Sequence, residues 1–344
     1  MILVEEGQSP IVLCLPHSGT DLPNAVEKRL NATGRLQADL AWRLERVFDF
    51  HKELDVTVLR SSVSRYVIDL DRDPETPVDR AMNPAEALCP ATTLDGKRIY
   101  QDGEEPGPTE IEQRTLLFHA PFHKALRRQV DRLQRQHRNV IILDCQSMRS
   151  HIKGVTENGL PLVSIGTLGG SSCDPDLRNT LVGSFKGQQG YTVSVDEQMR
   201  GGFISQSFGR PDRGLHAVSV LLAQRSYLRH ESPPFEPDKT RLTRLRAVLV
   251  EAMTRLVDWT GMGGAGPIEP DSSGKEAPLE EPTEKASQGE EASPPEQLDT
   301  TSATADDVEK AEIIPVDPMT LTRVSQSQTG KVEDGPVTPL LVAE

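Results

Sequence analysis

The sequence has little of what membrane-spanning, secreted or nucleic-acid-binding proteins require. No apolar run approaches the roughly 18 residues of a membrane span. The first residues, MILVEE, lack the basic start and apolar stretch of a signal peptide. Aromatic residues make up 4% of the chain and do not gather with basic residues, so we expect no nucleic-acid partner.

Cysteine is also scarce. The four cysteines stand singly and without paired spacing, at positions Cys14, Cys89, Cys145 and Cys173. Such usage is typical of a reducing compartment. We therefore predict a soluble cytoplasmic protein that does not associate with membranes.

Charge is distributed unevenly along the chain. Residues 1–261 carry 33 Lys plus Arg and 34 Asp plus Glu, whereas residues 262–344 carry 5 and 18, so the net charge of −14 falls almost entirely in the C-terminal part. That part is rich in Pro, Glu and Ser and has no aromatic residue. It cannot bury enough apolar surface to offset the entropy lost on ordering. We predict one folded domain over residues 1–261 and an acidic disordered tail over residues 262–344.

One stretch of this tail, residues 313–321, concentrates apolar residues. Two interpretations are open. The stretch is either a docking motif, for a protein partner or for this chain's own domain, or a chance apolar patch between prolines.

The order of local patterns predicts an α/β domain. Short runs rich in β-branched residues predict strands at residues 11–15, 55–59, 64–72 and 139–144. Apolar residues at helical spacing predict helices over residues 36–54, 116–136 and 242–259. Alternation of strands and helices is typical of a mostly parallel central sheet flanked by helices. His119 and His123 lie four residues apart, and we interpret them as part of a helix surface.

Polar side chains follow two of the predicted strands. His17 comes after the run at residues 11–15, and Gln146 and Arg149 come after the run at residues 139–144. The carboxyl ends of strands border the crevice where open α/β sheets bind ligands. A histidine in a Pro- and Gly-containing turn is also common without any function, so His17 has two interpretations from its residues alone.

Ten collinear segments, spread from about Ile11 to about Leu228, make the chain resemble the N-formylglutamate amidohydrolase family. They are PHSG at 16–19, Asp39 with Trp42, residues 64–72, LCP at 88–90, PFH at 121–123, Asp144 with Ser147 and Arg149, GT at 166–167, SCDP at 172–175, RGGFI at 200–204 and GLHA at 214–217. This family comprises metal-dependent hydrolases of histidine degradation. The resemblance implies a three-layer α/β/α sandwich similar to that of zinc carboxypeptidases.

The resemblance also implies roles for individual residues. His17, Asp39 and the residue at position 146 would hold zinc or another divalent metal. A small acidic ligand such as N-formylglutamate or glutamate would be bound by Arg65, Arg72, Arg149, Thr167 and His216. Arginine suits carboxylate recognition because its guanidinium makes paired hydrogen bonds. Ordinary ion pairs at strand ends are the alternative interpretation of the arginines, and a partly buried strand histidine is an equal alternative for His216.

The chain departs from the family's pattern at several site positions. Gln146 stands where the family has a histidine, Ala41 where it has a second carboxylate, Leu221 where it has a glutamate and Ser207 where it has a histidine. Other polar losses are Leu162, Ser164, Gln198 and Ser219. A neutral amide oxygen is a weak zinc ligand, and a leucine cannot act as a general base.

We therefore predict a depleted site with weak or absent metal binding. The chain would be a non-catalytic or very weakly active homologue that binds a small acidic ligand or a partner. The alternative is an active metal-dependent amide hydrolase, which would release formate or another acyl group from N-formyl-L-glutamate or a related N-acyl amino acid. A third hypothesis assigns the function to the tail, with the domain as its anchor.

Overall fold

A seven-stranded mixed sheet forms the centre of the domain. The computed structural model describes residues 1–76 and 84–262 and the backbone of residues 321–322. The strands of the sheet are β1 (Ile2–Glu5), β2 (Ile11–Leu15), β4 (Thr57–Ser61), β5 (Val140–Met148), β6 (Val163–Gly166), β7 (Val193–Val195) and β8 (Leu215–Ala223). Their order is β1-β4-β2-β5-β8-β6-β7. A separate two-stranded pair joins β3 (Leu22–Pro23) to β9 (Leu321–Thr322).

The middle of the sheet is parallel. β4, β2, β5 and β8 are parallel neighbours, and β6 and β7 also pair in parallel. The pairs β1–β4 and β6–β8 are antiparallel. The prediction of an α/β domain with parallel central strands is thus confirmed, although the sheet as a whole is mixed.

Helices cover both faces of the sheet. They are α1 (Asn24–Arg29), α2 (Ala32–Leu36), α3 (Leu44–Val47), α4 (Pro108–Arg114), α5 (Ala120–Gln134), α6 (Pro175–Lys186), α7 (Phe203–Phe208) and α8 (Lys239–Met262). Side chains alternate along a strand. On β5, Ile141 and Leu143 pack in a core with α6 and α8, whereas Val140 and Ile142 pack in a second core with α5.

The helix predicted over residues 36–54 is wrong. Only α3 is helical there beyond the end of α2, because Gln37 and Arg43 adopt left-handed backbone angles, with φ of 49° and 60°. The Trp42 indole donates to the carbonyl of Gln37 at 2.8 Å, which closes the turn between them. Most apolar residues of the predicted helix are nevertheless buried, as their spacing indicated. The break brings the backbone N–H of Ala41 to 3.0 Å from the carbonyl of His17.

The strand predicted over residues 64–72 is also wrong, because this segment is a series of turns. The Ser64 hydroxyl accepts from the N–H of Tyr66 at 3.2 Å, and the Asp69 carboxylate accepts from the N–H of Asp71 at 3.0 Å. Side chains satisfy backbone donors here in place of a strand ladder. The turns direct Asp69 and Asp71 inward, where both are buried.

The helices predicted at residues 116–136 and 242–259 are confirmed. The first forms as α5, joined to α4 by one π-helical turn at Thr115–His119. The second is α8, which ends at Met262 beside the predicted domain boundary. No helix of the described residues is long and apolar enough to cross a membrane. Most of the predicted tail, including residues 313–320, lies outside the described residues. Its strand β9 pairs antiparallel with β3.

Candidate functional site

Six polar side chains meet under the carboxyl ends of the parallel strands. We call them the polar cluster: His17, Asp69, Asp71, Asp144, Gln146 and Ser219, all of which are buried. β5 extends past its predicted end, so Asp144 and Gln146 are two apart on one strand and face the same side. In the sheet register they lie opposite Ser219 and Leu221 of β8. His17 follows the neighbouring strand β2.

One half of the polar cluster is a buried ion pair. His17 Nε2 donates to Oδ1 of Asp69 at 2.7 Å, and Arg65 Nε donates to Oδ2 at 2.8 Å. Burial by itself would raise the pKa of Asp69. The charges of His17 and Arg65 outweigh burial and hold that pKa well below its usual value. Asp69 is therefore ionised, and it orients the His17 ring.

The other half is a pair of carboxylates joined by one amide. Gln146 Nε2 donates to Oδ2 of Asp71 and to Oδ2 of Asp144, each at 2.8 Å. Asp144 also accepts from the Ser219 hydroxyl at 2.9 Å, and Asp71 accepts from the N–H of Ile204 at 2.8 Å.

Burial dominates the electrostatics of this carboxylate pair. It raises the pKa of Asp144 to about 7. Burial, and then the nearby Asp144, raises the pKa of Asp71 well above its usual value. Like charges in a site of low polarity resist simultaneous ionisation. The pair therefore retains protons at pH values where exposed carboxylates have lost them.

Asp39, the second predicted metal ligand, is occupied by other donors. Its Oδ1 accepts from Arg149 Nη2 at 2.8 Å, and its Oδ2 accepts from the Tyr66 hydroxyl and the N–H of Leu94, each at 2.9 Å. These contacts use the carboxylate on both oxygens. The structure thus puts Gln146 in the polar cluster with His17, while Asp39 has a separate set of partners.

The residues present do not fit the zinc that the resemblance implies. Across residues 1–76 and 84–262 there is no group of three or more His, Cys, Asp or Glu side chains that could hold a metal ion. A hydrolytic zinc needs about three protein ligands with free lone pairs. The bond to Asp69 uses only Nε2 of His17 and leaves Nδ1 to bind a metal. Asp39, however, already accepts from three donors, and the amide nitrogen of Gln146 is committed to two carboxylates.

Each predicted carboxylate-binding arginine faces a carboxylate of this chain. Arg65 is buried against Asp69 and also donates to the carbonyl of Ala85 at 2.9 Å. Arg149 pairs with Asp39. Arg72 is held most loosely, since its side chain is 42% exposed and its nearest carboxylate contacts are 3.4 and 3.9 Å.

Thr167 and His216 lie apart from the polar cluster. The backbone N–H and hydroxyl of Thr167 both donate to Asp196 at 2.6 Å. His216 stands on the other face of β8, edge-on to Trp259 at 5.1 Å between ring centres. Its Nδ1 accepts from the N–H of Asp174 at 3.2 Å, and burial lowers its pKa to about 4. This environment matches the interpretation of His216 as a buried strand histidine.

The two expected catalytic positions differ in their surroundings. Leu221 is 4% exposed and packs in a small apolar cluster with Leu160 and Ala223. Ser207 is half-buried on α7. α7 reaches the polar cluster through the backbone N–H of Ile204 and through the side chain of Ser205, whose hydroxyl lies 3.0 Å from that of Ser219.

Sequence reasoning missed several residues that build this site. In the sequence, Asp69 and Asp71 stand out only as neighbours of Arg65 and Arg72. Their spacing of two residues is the one pattern that indicates a paired role. His119 and His123 were interpreted as helix surface, but His119 is 3% exposed and the two rings stack at 4.3 Å. Their Nε2 atoms donate to the carbonyls of Arg72 and Leu70 at 2.9 and 2.8 Å.

Known proteins resemble this chain in sequence and in fold. The N-formylglutamate amidohydrolase family matches residues 9–228. The N-formylglutamate deformylase of Pseudomonas putida is 32% identical over 254 residues, which cover 74% of this chain and 94% of the relative. That of Pseudomonas aeruginosa is 31% identical over 256 residues, covering 74% and 95%.

Two solved structures share the fold. An N-formylglutamate amidohydrolase from Ralstonia eutropha aligns with a TM-score of 0.63 at 21% identity, over 76% of this chain and 99% of that one. A protein from Agrobacterium tumefaciens aligns with a TM-score of 0.59 at 17% identity, over 75% and 95%. With its ten motif segments, its α/β fold and these relatives taken together, the chain belongs to the N-formylglutamate amidohydrolase family.

Proposed function

We propose that this chain is a non-catalytic or very weakly active member of the family, which binds a small acidic ligand or a partner. The contact that supports this most directly is made by Gln146, whose amide nitrogen donates to Asp71 and Asp144 at 2.8 Å each. Only its carbonyl oxygen is left to meet a metal, and a neutral oxygen is a weak zinc ligand. The position implied for a metal-binding histidine instead stabilises two buried carboxylates.

The surroundings of Leu221 support the same proposal. The resemblance implies a glutamate there, which would serve as a base for the attacking water. Leu221 and its neighbours Leu160 and Ala223 offer no group that takes up a proton. Two functions of the family's site, metal binding and proton transfer, are thus weakened by substitutions at different positions.

The ligand-binding part of the proposal depends on Arg72. Arg65 and Arg149 are engaged at 2.8 Å by carboxylates of this chain, so an incoming carboxylate would have to displace those partners. Arg72 is the exception, because its guanidinium is partly exposed and its closest carboxylate contact is 3.4 Å. A ligand carboxylate would therefore bind first at Arg72.

An active amide hydrolase is the second candidate, and two observations favour it. Both curated relatives above 30% identity are named N-formylglutamate deformylases. Burial also raises the pKa of Asp144 to about 7, a value suited to a general base near neutral pH. In this alternative Asp144 would take the role that Leu221 cannot fill.

Release of formate from N-formyl-L-glutamate with added zinc separates the two candidates. We expect no detectable turnover by the wild type, by Gln146→His or by Leu221→Glu, with restored activity requiring at least the double variant, because groups that act as a unit give little rate until the unit is complete. The Pseudomonas putida deformylase serves as the positive control. Metal-dependent turnover by the wild type that His17→Ala abolishes would establish the hydrolase instead.

Zinc content provides an independent measurement. After dialysis we expect sub-stoichiometric zinc by elemental analysis, and a higher content in Gln146→His because imidazole is a better zinc ligand than an amide. One tightly held zinc per wild-type chain would contradict the proposal.

Ligand binding is tested by thermal unfolding with glutamate or N-formylglutamate. A ligand that binds only the folded state raises the melting temperature in a saturable way. We expect such a shift for the wild type and its loss in Arg72→Gln. Arg98→Gln is the matched control, since the Arg98 side chain is also exposed and forms an ion pair with Asp102 at 2.6 Å. Equal shifts in both variants would count against the proposed contact.

We further propose the three-layer arrangement of zinc carboxypeptidases for the domain and the cytoplasm as its location. Helices on both faces of the sheet support the first, and four free, buried cysteines support the second. For the C-terminal tail, we propose that residues 313–321 bind a protein partner.

A further inference from the structure

A cavity with three arginines in its lining lies away from the polar cluster, where the first turns of α8 meet the 3-10 turn Gln224–Ser226 that follows β8. Its volume is about 260 Å³, and it is lined by Leu162, Gly190, Tyr191, Arg225, Ser226, Arg241 and Arg244. None of these residues belongs to the polar cluster. Three of the seven carry a permanent positive charge.

Among the described residues none of these three guanidinium groups forms a close ion pair, and the nearest acid to attract one of them is Asp238, which interacts electrostatically with Arg241. Within residues 1–76 and 84–262, every arginine ion pair involves other arginines, such as those of Arg229, Arg246 and Arg255. The acids that do contact this region bind backbone groups instead. Glu231 accepts from the N–H of Arg225 at 2.6 Å, and Asp238 accepts from the N–H of Arg241 at 3.0 Å.

The arginines are held in place by backbone carbonyls. Arg225 Nη2 donates to the carbonyl of Leu160, and Arg244 Nη2 donates to that of Gln189. Arg241 Nη1 donates to the carbonyl of Leu228 at 2.8 Å. The Arg244 guanidinium also lies over the Tyr191 ring, 5.4 Å from its centre. Each contact leaves further N–H groups of the same guanidinium available, because an arginine has five.

Two polar atoms of the cavity lining have unmet hydrogen-bonding capacity. In the described part of the chain, Arg225 Nη1 and the Ser226 hydroxyl oxygen are both shielded from solvent and without a hydrogen-bond partner. Ser226 is only 8% exposed. Leaving a charged donor buried and unpaired is unfavourable. An acceptor that draws the Arg225 side chain toward the cavity would satisfy it.

We propose that this cavity binds a phosphate-sized oxyanion, either free inorganic phosphate or the terminal phosphate of a small metabolite. Three guanidinium groups match the charge and the several acceptor oxygens of a phosphate better than those of a monocarboxylate. A rotation of the Ser226 side chain toward the cavity would add a neutral hydrogen bond. This proposal does not depend on the proposed function, although Leu162 of the lining also packs against the apolar cluster of Leu221.

Equilibrium dialysis of the full-length chain against radiolabelled inorganic phosphate, at constant ionic strength, tests this site. We expect saturable binding of one phosphate per chain, competition by sulfate, and no competition by acetate. Arg241→Gln and Arg244→Gln should each weaken binding by about tenfold or more, since each removes a charge-assisted contact. Arg244→Lys, which keeps the charge but loses the guanidinium geometry, should weaken it less.

Two matched variants control for other causes. Arg255 lies on the same helix but outside the cavity, so Arg255→Gln should bind phosphate as the wild type does. Arg149→Gln tests whether the phosphate binds instead beside Asp39, at one of the arginines implied for the acidic ligand. Tighter binding of glycerol 3-phosphate than of inorganic phosphate would identify a metabolite phosphate, and equal binding would identify the free ion.

The proposal would be overturned by a lack of saturable binding up to about 10 mM phosphate, which is weaker than a specific site gives. It would also be overturned by binding that Arg149→Gln abolishes, or by binding that survives in the Arg241→Gln, Arg244→Gln double variant. In the last case the arginines would serve only to hold the carbonyls of Leu228 and Gln189.

Discussion

Gln146 holds two buried carboxylates with a single amide group. Two acids so close in a site of low polarity would repel each other if both were ionised, and burial already raises the pKa of Asp71 and that of Asp144. The amide offers two N–H donors without adding charge. A neutral imidazole offers only one. The residue at the position implied for a metal-binding histidine therefore holds two buried carboxylates together.

This double role predicts the response to substitutions at position 146. Gln146→Glu replaces the two donors with a third acid facing Asp71 and Asp144. We expect it to lower the free energy of unfolding by about 2 kcal/mol more than Gln146→Met, because an unpaired buried charge is costlier than a lost hydrogen bond. Urea denaturation of both variants measures the difference. Equal stability would show that the amide is not needed to hold the carboxylates.

Leu221 gives a second prediction at the scale of single residues. It is 4% exposed among apolar neighbours, so Leu221→Glu would bury a carboxylate without a partner. We expect a loss of about 3 kcal/mol in the free energy of unfolding, against less than about 1 kcal/mol for the shape-conserving Leu221→Met. A Leu221→Glu variant as stable as the wild type would mean that the pocket can accept a base.

At the scale of elements, α5 positions the turns that carry the carboxylates. His119 and His123 are one helical turn apart, and they donate to the carbonyls on either side of Asp71. Phe203, at the start of α7, packs against both rings at 5.5 and 5.1 Å between centres. Three elements distant in sequence thus fix one side of the polar cluster.

This packing predicts a pH dependence of stability. Burial, and then the neighbouring His119, lowers the pKa of His123 to about 4, against about 6.5 in an unfolded chain. Between these two pH values the unfolded chain binds a proton that the folded chain does not, so the free energy of unfolding rises with pH. The stability that neutral His123 contributes is complete above about pH 6.5 and is lost as the pH falls toward 4. We expect a contribution on the order of 2 kcal/mol from His123.

Urea denaturation between pH 4 and pH 7 measures this contribution. His123→Gln should flatten the pH profile, because it removes the titrating group and retains a donor for the carbonyl of Leu70. His137, which binds the carbonyl of Gln8 at the surface, provides the control variant His137→Gln. If both variants keep the wild-type slope, the loss of stability in acid comes from other groups.

At the scale of the whole molecule, the two parts of the sequence have different charge. The family match ends at residue 228 and α8 ends at Met262. Residues 1–261 carry 33 basic and 34 acidic side chains, a net charge of −1. The remaining residues carry 5 − 18 = −13. The net negative charge of the chain therefore comes almost entirely from residues 262–344 and not from the part that contains the site.

A truncation after Met262 tests the independence of the domain. It removes the two-residue pairing of β9 with β3, and we expect the free energy of unfolding to change by less than about 1 kcal/mol. Urea denaturation of the two chains gives the comparison. A loss of more than about 2 kcal/mol would show that the C-terminal part stabilises the domain.

The sequence by itself determined the parts of this protein that depend on local pattern. Periodicity identified β2, β5, α5 and α8, because each carries an apolar stripe or run that its own residues display. The motif segments identified the family, and with it the positions of His17, Gln146 and Leu221. Local pattern failed at residues 36–54 and 64–72, where left-handed residues and side-chain bonds to the backbone override apolar spacing.

Only the tertiary structure determined which residues of the site form hydrogen bonds with one another. Asp69 meets His17 across 52 residues, Gln146 meets Asp71 across 75, and the carbonyl of Leu70 meets His123 across 53. No periodicity in a single sequence encodes such pairings, because they arise when the sheet brings β2 beside β5 and packs the turns against α5. The raised pKa of Asp144 and the grouping of Arg225 with Arg241 and Arg244 of α8 follow from the same packing, since burial and charge pairing depend on neighbours in space.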